Sequence, residues 1–339
     1  MIDAVLALPI VVKVLGSLGL ILILNAVCRH LAISVSVGVL TLGLWSGHSA
    51  GAMAAIGGER LISFGNLMLM VIVFQVIWLS SQMAKTGLME GLVGAVRARI
   101  SREGAMGVLP AVIGLLPMPG GALFSAPLVD SCDPEDHVAG GMKARANHWF
   151  RHVWEYWWPL YPGVLLAMEI LEFEVWQMML LGVPLTLSAV GAGYLFLLRP
   201  VRHAHEVPVE RTENPPALLP HLTPIIVVVI GYGVVRLGYA VLGGVGVDLP
   251  PMNRYLPMAI GLVCAMSLLQ AQRPISARDW GKIIFSLRTL NIAVIVAAVR
   301  VYGAFIEADL PGGTPLVAQM RAELSEWGIP LLAVIMILP

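Results

Sequence analysis

Charged residues are scarce in this chain of 339 residues: they make up 12% of it, while hydrophobic residues make up 58%. Soluble domains carry about a quarter charged residues, so this composition excludes an ordinary soluble protein. Cysteine is scarce too, and Cys28, Cys132 and Cys264 lie far apart without a CxxC pair. Their spacing excludes a disulfide framework and a cysteine zinc site. The net charge is zero, so nothing in the charge balance indicates a nucleic-acid partner, and none is expected.

Long apolar runs are abundant, and those of crossing length predict an all-α integral membrane protein of the polytopic kind. No basic stretch precedes the first run and no small-residue cleavage site follows it, which predicts a retained helix rather than a removed signal. We expect a multi-pass protein of the inner (plasma) membrane. The predicted crossings are residues 9–27, 31–45, 67–83, 156–171, 175–198, 224–242, 256–269 and 283–305.

One further apolar segment, 105–129, is interrupted in its middle by Pro117-Met118-Pro119-Gly120-Gly121. Each half has about twelve residues, which rise about 18 Å as a helix, against about 30 Å of hydrocarbon. We therefore predict a re-entrant hairpin that enters and leaves on the cytoplasmic side. Non-helical backbone at membrane depth is tolerated where it is buried in protein or lines a watery cavity. The interruption therefore predicts a binding site.

The distribution of basic residues favours the hairpin over its alternative, a single crossing by a proline-kinked helix. With a hairpin and the N-terminus outside, fourteen basic residues fall in cytoplasmic loops and only Arg60, Arg254 and Arg321 fall outside. A single crossing would give seven against ten, which is no asymmetry. Because cytoplasmic loops are enriched in Lys and Arg, the first topology is preferred.

Weak internal similarity predicts two inverted repeats, each with a re-entrant hairpin. Residues 224–231 resemble 9–16, and 316–322 resemble 92–98 at an offset of 224. The predicted organisation is a first repeat over 1–198 with the hairpin 105–129, a cytoplasmic linker over 199–218, and a second repeat over 219–339. The second repeat is expected to be incomplete at its C-terminus, so that ligands of the site would lie beyond Pro339. Residues 91–100 and 316–326 are amphipathic and are predicted to lie along opposite membrane surfaces.

The hairpin tip supplies the first candidate site residues. The second half-helix would begin near Gly120 and Gly121, after Pro119, and its free backbone N–H groups favour an anion. Ser125, one turn further on, is a candidate donor to a carboxylate. The carbonyls that end the first half-helix, at Leu116 and its neighbour Leu115, are candidate ligands of Na⁺ or of a proton-bearing water. The alternative is that the glycines only allow close helix packing.

The segment NHWFRHVWE, 147–155, supplies the second set. On a helix, Asn147, Arg151 and Glu155 would share one face, with His148 and His152 beside them. Arg151 is a candidate carboxylate ligand, while His152 and Glu155 are candidates for ion or proton coupling. One alternative is an interfacial belt of tryptophans with Arg151 paired to Glu155. Another is a metalloenzyme whose metal is held by His148, His152 and Glu155.

Arginine residues inside predicted crossings of the second repeat are candidates for function, because inserting a charged side chain into the membrane costs free energy. Arg300 lies deepest and is a candidate second anion contact. Arg236 and Arg288 are expected to reach an interface with their charged ends.

The motifs LLPMPGGALFSAP (115–127), NHWFRHVWE (147–155) and PLYPG (159–163) resemble an uncharacterised membrane-protein family, domain-of-unknown-function family 401. That family is similar to the gluconate permeases of the ion-transporter superfamily. The resemblance implies an elevator-type fold of two inverted repeats, a homodimer, and movement of organic anions with H⁺ or Na⁺. The family's second Pro- and Gly-rich motif is absent here and would follow Pro339.

From these residues we predict a transporter rather than an enzyme. The expected partners are a small organic anion, gluconate-like or another carboxylate, the lipid bilayer and a second copy of the chain. No cofactor is expected beyond H⁺ or Na⁺ as coupling ion. The solute, the coupling ion and the direction of transport are not determined by the sequence.

Overall fold

The computed structural model describes residues 8–115, 121–133, 135–204, 217–248 and 250–328. Regular structure within these ranges is helical, and five helices are long and apolar enough to cross a membrane. Shorter apolar helices accompany them. The chain is therefore a polytopic helical protein of membrane type, as its composition predicts.

The helices follow one another closely along the chain, and a π-helix at Tyr194–Leu198 continues the tenth. They are α1 (Ile10–Cys28), α2 (Leu31–Trp45), α3 (Ala50–Ile62), α4 (Phe64–Lys85), α5 (Leu88–Arg97), α6 (Arg102–Gly114), α7 (Gly121–Asp130), α8 (Gly140–Arg151), α9 (Pro162–Ile170), α10 (Val175–Gly193), α11 (Arg199–Ala204), α12 (Leu219–Gly244), α13 (Leu256–Gln272), α14 (Ala277–Ile284), α15 (Leu287–Glu307) and α16 (Leu316–Glu326).

Serine side chains define where several of these helices begin. Each accepts a hydrogen bond from a backbone N–H of the first turn, which would otherwise have no partner. The capping residues of α3, α6, α14 and α15 are Ser49, Ser101, Ser276 and Ser286. Ser286 also divides the predicted crossing 283–305, because α14 ends at Ile284 and α15 begins after the cap.

The chain divides into two compact units, one formed by Met1–Met70 with Ser286–Pro339 and the other by Val71–Phe285. In the first unit, α1 packs on α2, α15 packs on α2 and α3, and α16 packs on α1. Its apolar core includes Leu42, Phe305 and Leu316, which are almost fully buried. Both carboxylate oxygens of Glu323 accept from the backbone N–H groups of Ile10 and Val11, at 2.9 and 3.0 Å. A carboxylate thus caps the positive end of α1.

In the second unit, α6 packs on α7 and α8, and α12 packs on α13. A methyl group at Gly261 would lie 2.6 Å from the carbonyl oxygen of Val228, so α12 and α13 meet backbone to backbone. Small residues allow such an approach between membrane helices.

The predicted crossing 156–171 is wrong in its first half, because α8 ends at Arg151 and α9 begins only at Pro162. Turns occupy the residues between. Pro159 and Pro162 explain the interruption, since the residue before a proline is disfavoured in helical conformation. Tyr161, before Pro162, accordingly has an extended backbone with ψ 125°.

Candidate functional site

In the second unit, the end of α6 and the end of α8 are in contact through their backbones. Gly114 is the last residue of α6, and a methyl group there would lie 2.2 Å from the carbonyl oxygen of Arg151 at the end of α8. The contact involves backbone, which cannot move aside as a side chain can. Two helix ends therefore meet inside an apolar region of the chain.

Aromatic side chains from the turns 152–161 bond the carbonyl groups that end α6. Trp154 Nε1 donates to the Ala111 carbonyl at 2.7 Å, and Trp158 Nε1 donates to the Leu115 carbonyl at 2.9 Å. The Tyr161 hydroxyl donates to the Gly114 carbonyl. The last carbonyls of a helix lack partners within the helix, and indole and phenol groups supply them here.

Two expectations concern these groups. The Leu115 carbonyl, a predicted cation ligand, accepts a hydrogen bond from Trp158, and its role as an ion ligand stays a prediction. The belt alternative expects the tryptophans at headgroup level, and in the structure Trp149 donates to the Ala189 carbonyl at 2.8 Å and Trp157 to Thr186 Oγ1 at 2.9 Å. Their N–H groups thus bond within the protein.

Ser125 and Asn147, both predicted to bind solute, lie together. Ser125 Oγ on α7 donates to Asn147 Oδ1 on α8 at 2.5 Å, and both residues are buried. A buried serine and asparagine can donate to and accept from a polar ligand. Sequence spacing suggested no direct contact between them, because 22 residues separate them.

A cavity of about 710 Å³ opens between α7 and α8 beside this pair. Asn147 and His148 line it from α8, and Asp130 and Lys143 lie nearer the ends of the two helices. Its volume is within the range of small-molecule sites. Polar groups inside an apolar helical protein commonly face such cavities.

Lys143 is balanced by three aspartates. Its Nζ lies 3.0 Å from Asp130, 3.0 Å from Asp133 and 2.8 Å from Asp136. The hydrogen bond with Asp136 is the main cause that raises the pKa of Lys143. Burial works to raise the pKa of Asp133, but hydrogen bonds from the backbone N–H of Val138, from Lys143 and from the backbone N–H of His137 outweigh it and lower that pKa. The Lys143 charge therefore serves to join α7 to α8.

The predicted helical face of Asn147, Arg151 and Glu155 is wrong, since α8 ends at Arg151. Glu155 lies in the turns, where its Oε1 is 2.7 Å from His152 Nδ1. The His148 and His152 rings lie 4.5 Å apart between centroids. Across the described ranges, no three His, Cys, Asp or Glu side chains form a metal-ligating group. The metal alternative thus gains no support from these positions.

The remaining predicted residues divide into three cases. Gly121 is the first residue of α7. Leu116, Pro119 and Gly120 lie outside the described residues. Arg300 lies in the first unit, buried, where its Nε donates to Asn66 Oδ1 at 3.3 Å. Its role as an anion ligand stays a prediction.

A buried polar stretch on α4 escaped sequence reasoning. Gln75, Ser80 and Gln82 are buried, and Gln75 Oε1, Ser80 Oγ and Gln82 Oε1 lack a hydrogen-bond partner among the residues that the structure describes. The signal was present, because four polar residues, Gln75, Ser80, Ser81 and Gln82, interrupt the apolar run 67–83. Such groups inside membrane proteins often face water or a ligand.

Comparison with known proteins identifies one family. The family described as "Protein of unknown function (DUF401)" matches residues 11–249, which is more than half of the chain. No curated protein matches, and no solved structure matches.

Proposed function

The chain belongs to the DUF401 family of proteins of unknown function, and from this premise we propose that it is a secondary transporter of a small carboxylate-bearing solute. The observation that carries the proposal is the buried Ser125–Asn147 pair beside a cavity of about 710 Å³ in an apolar helical protein. Solute sites of secondary transporters lie at discontinuous helices near the bilayer midplane. Helices α6 to α9 have that character.

The preference for an anion rests on three groups. The start of α7 at Gly121 carries the positive end of a helix dipole, which favours a carboxylate. The Ser125 hydroxyl donates to Asn147 Oδ1 and so orients the Asn147 amide, whose N–H groups can donate to the solute, and Arg151 offers a guanidinium at the end of α8. Lys143 is left out, because three aspartates already balance its charge.

Helix lengths support the hairpin. Helix α6 has 13 residues and α7 has 10, so they rise about 20 and 15 Å, well short of about 30 Å of hydrocarbon. The two helices also pack on one another, as the arms of a hairpin do.

Two ion pairs also support the hairpin, because in each pair one residue precedes the segment 105–129 in the sequence and the other follows it. Lys85 Nζ lies 2.5 Å from Asp279 Oδ1, and Arg60 pairs with Glu307. Four crossings separate Lys85 from Asp279 when α8 and α9 together form one discontinuous crossing in place of the predicted 156–171. An additional crossing by 105–129 would put the two residues on opposite sides of the membrane, so their contact favours a segment that returns to its side of entry.

The order of elements supports the two repeats. Helices α1 to α5 and α12 to α16 follow the same scheme of two apolar helices, a short helix, a long helix and an arm. The arm α16 packs on α1, and the arm α5 packs on α12. Each arm thus packs on the first helix of the other repeat, which is the exchange that a pseudo-two-fold relation produces. We propose elevator movement of the site, coupled to H⁺ or Na⁺, in a homodimer of the inner membrane with its N-terminus outside.

Uptake into proteoliposomes tests the proposal. Purified protein is reconstituted and offered labelled gluconate-like and dicarboxylate anions under Na⁺ or pH gradients. We expect saturable uptake of one anion class, with Asn147→Ala lowering it about tenfold, since a lost hydrogen bond to a charged group costs about 1.5–3 kcal/mol. Ser125→Ala should lower it as well, because the Asn147 amide then loses the hydroxyl that orients it. Ser188→Ala is the matched control, because Ser188 is exposed and bonds its own helix at the Pro184 carbonyl. Absence of uptake across the panel would refute the proposal.

A further inference from the structure

A second cavity in the same unit is apolar throughout. It has a volume of about 130 Å³ and lies between the turn at Trp158 and helices α10, α12 and α13. Val228 and Met258 form its floor, and each is 3% exposed. Its walls offer no polar surface. An apolar cavity of about 150 Å³ stays free of water and binds apolar molecules, so this one also favours an apolar occupant over water.

The mouth of this cavity opens on the lipid-facing side of two membrane helices. Trp176 on α10 and Val229 on α12 line it and are 57% and 53% exposed. Helix α12 continues with exposed apolar residues at Val234 and Leu237. In a bilayer, hydrocarbon chains cover this face, so the mouth is continuous with lipid.

An ion pair stands at one end of the cavity. Arg236 Nη1 lies 3.2 Å from Glu174 Oε2. Val175 and Tyr232 line the cavity, and they are respectively the next residue after Glu174 and the residue one helical turn before Arg236. The pair offers one positive and one negative group, which match the phosphate and the ammonium of a zwitterionic headgroup.

We propose that this cavity binds the end of one acyl chain of a bilayer phospholipid, whose zwitterionic headgroup lies at Arg236 and Glu174. The chain contacts Trp158, whose indole N–H also bonds the Leu115 carbonyl at the end of α6. The lipid therefore supports the aromatic side chain that holds the interrupted helix in place. This binding does not depend on the proposed transport.

Photolabelling of the intact protein in bilayers tests the assignment. The probe is phosphatidylethanolamine with a diazirine near the end of one acyl chain, and labelled residues are identified by peptide mass spectrometry. We expect label on Met258 and Val228. Leu262, one turn further along α13 and fully buried, should stay unlabelled, while lipid-facing Val234 should be labelled by surrounding lipid.

Two filling variants make the test specific. Val228→Phe and Ile225→Phe should each reduce labelling of Met258 roughly tenfold, because the added ring atoms occupy the space that the end of the acyl chain would take. Val234→Phe adds the same bulk on the lipid face and should leave Met258 labelling unchanged. Label confined to exposed positions in the unsubstituted protein would overturn the proposal, as would undiminished Met258 labelling in both filling variants.

Discussion

The two compact units place their buried hydrogen bonds differently. In the first unit, polar side chains bond one another across intact helices: Ser17 Oγ lies 2.7 Å from the Tyr302 hydroxyl, and Arg300 donates to Asn66. In the second unit, Trp154, Trp158 and Tyr161 donate to backbone carbonyls at the end of α6. A helix that stops within an apolar region leaves carbonyls that water does not reach. The unit with interrupted helices therefore uses aromatic side chains as donors at the end of α6.

The largest expected effect concerns the contact between α6 and α8. Gly114→Ala would place a methyl group 2.2 Å from the Arg151 carbonyl oxygen, with no flexible side chain to yield. We expect a loss of roughly 3 kcal/mol or more, at the upper end of overpacking. Thermal unfolding in detergent measures it. Gly191→Ala is the control, because a methyl group at Gly191 meets nothing within 4 Å. An unchanged midpoint for Gly114→Ala would contradict the backbone contact.

The next largest effect concerns the aromatic hydrogen-bond donors of the second unit. Tyr161→Phe removes only the hydroxyl that donates to the Gly114 carbonyl, which leaves a helix-end acceptor without this donor. We expect a loss of about 1–3 kcal/mol, the cost of an unsatisfied buried group. Tyr194→Phe, at an exposed position, should leave the thermal midpoint unchanged. Equal midpoints for the two variants would show that the aromatic donors contribute little.

A tyrosine-to-phenylalanine substitution in the first unit should lower the free energy of unfolding by less. Tyr302→Phe removes a hydroxyl that bonds Ser17, but Ser17 Oγ retains its hydrogen bond to the Val14 carbonyl at 2.8 Å. We expect about 0.5–1.5 kcal/mol, the net value of an ordinary hydrogen bond. Parallel melting curves for Tyr161→Phe and Tyr302→Phe give the difference between the units. A larger cost for Tyr302→Phe would reverse the comparison.

The smallest effect is a pH dependence at the α7–α8 junction. The pKa of Asp133 is lowered in the folded protein, so its stabilising contribution is present above its ordinary value, about 3.9, and is lost as the pH falls through the folded value. The thermal midpoint should therefore fall on acidification below about pH 4, and fall less in Asp133→Asn. The measurement is the midpoint of each protein across that range. Identical acid dependence would show that Asp133 does not contribute.

Much of the helical plan was predictable. The run 31–45 coincides with α2, and 256–269 lies within α13, because uninterrupted apolar runs and simple boundaries define them. The interruption at 152–161 was missed, although Pro159 and Pro162 signal it. The aromatic residues of 154–161 suggested a position at the membrane interface instead. A sequence shows which residues can donate a hydrogen bond, but it does not show which acceptors they reach.

The site was predictable in composition more than in arrangement. Ser125, Asn147 and the histidines were recognisable as polar groups in apolar surroundings. The contact between Ser125 and Asn147 was not, because it depends on the packing of α7 on α8. The depth of Arg300 in its apolar run predicts an anion contact, whereas its hydrogen bond to Asn66 depends on how distant helices pack.

By itself, the sequence determined that this protein is helical and of membrane type. Those properties follow from hydrophobicity and helix length, which act locally along the chain. Only the tertiary structure decided which groups satisfy the carbonyls at the interruptions. The reason is physical: donors such as Trp158 lie 43 residues from their acceptors, and packing of distant segments alone brings them within 3 Å.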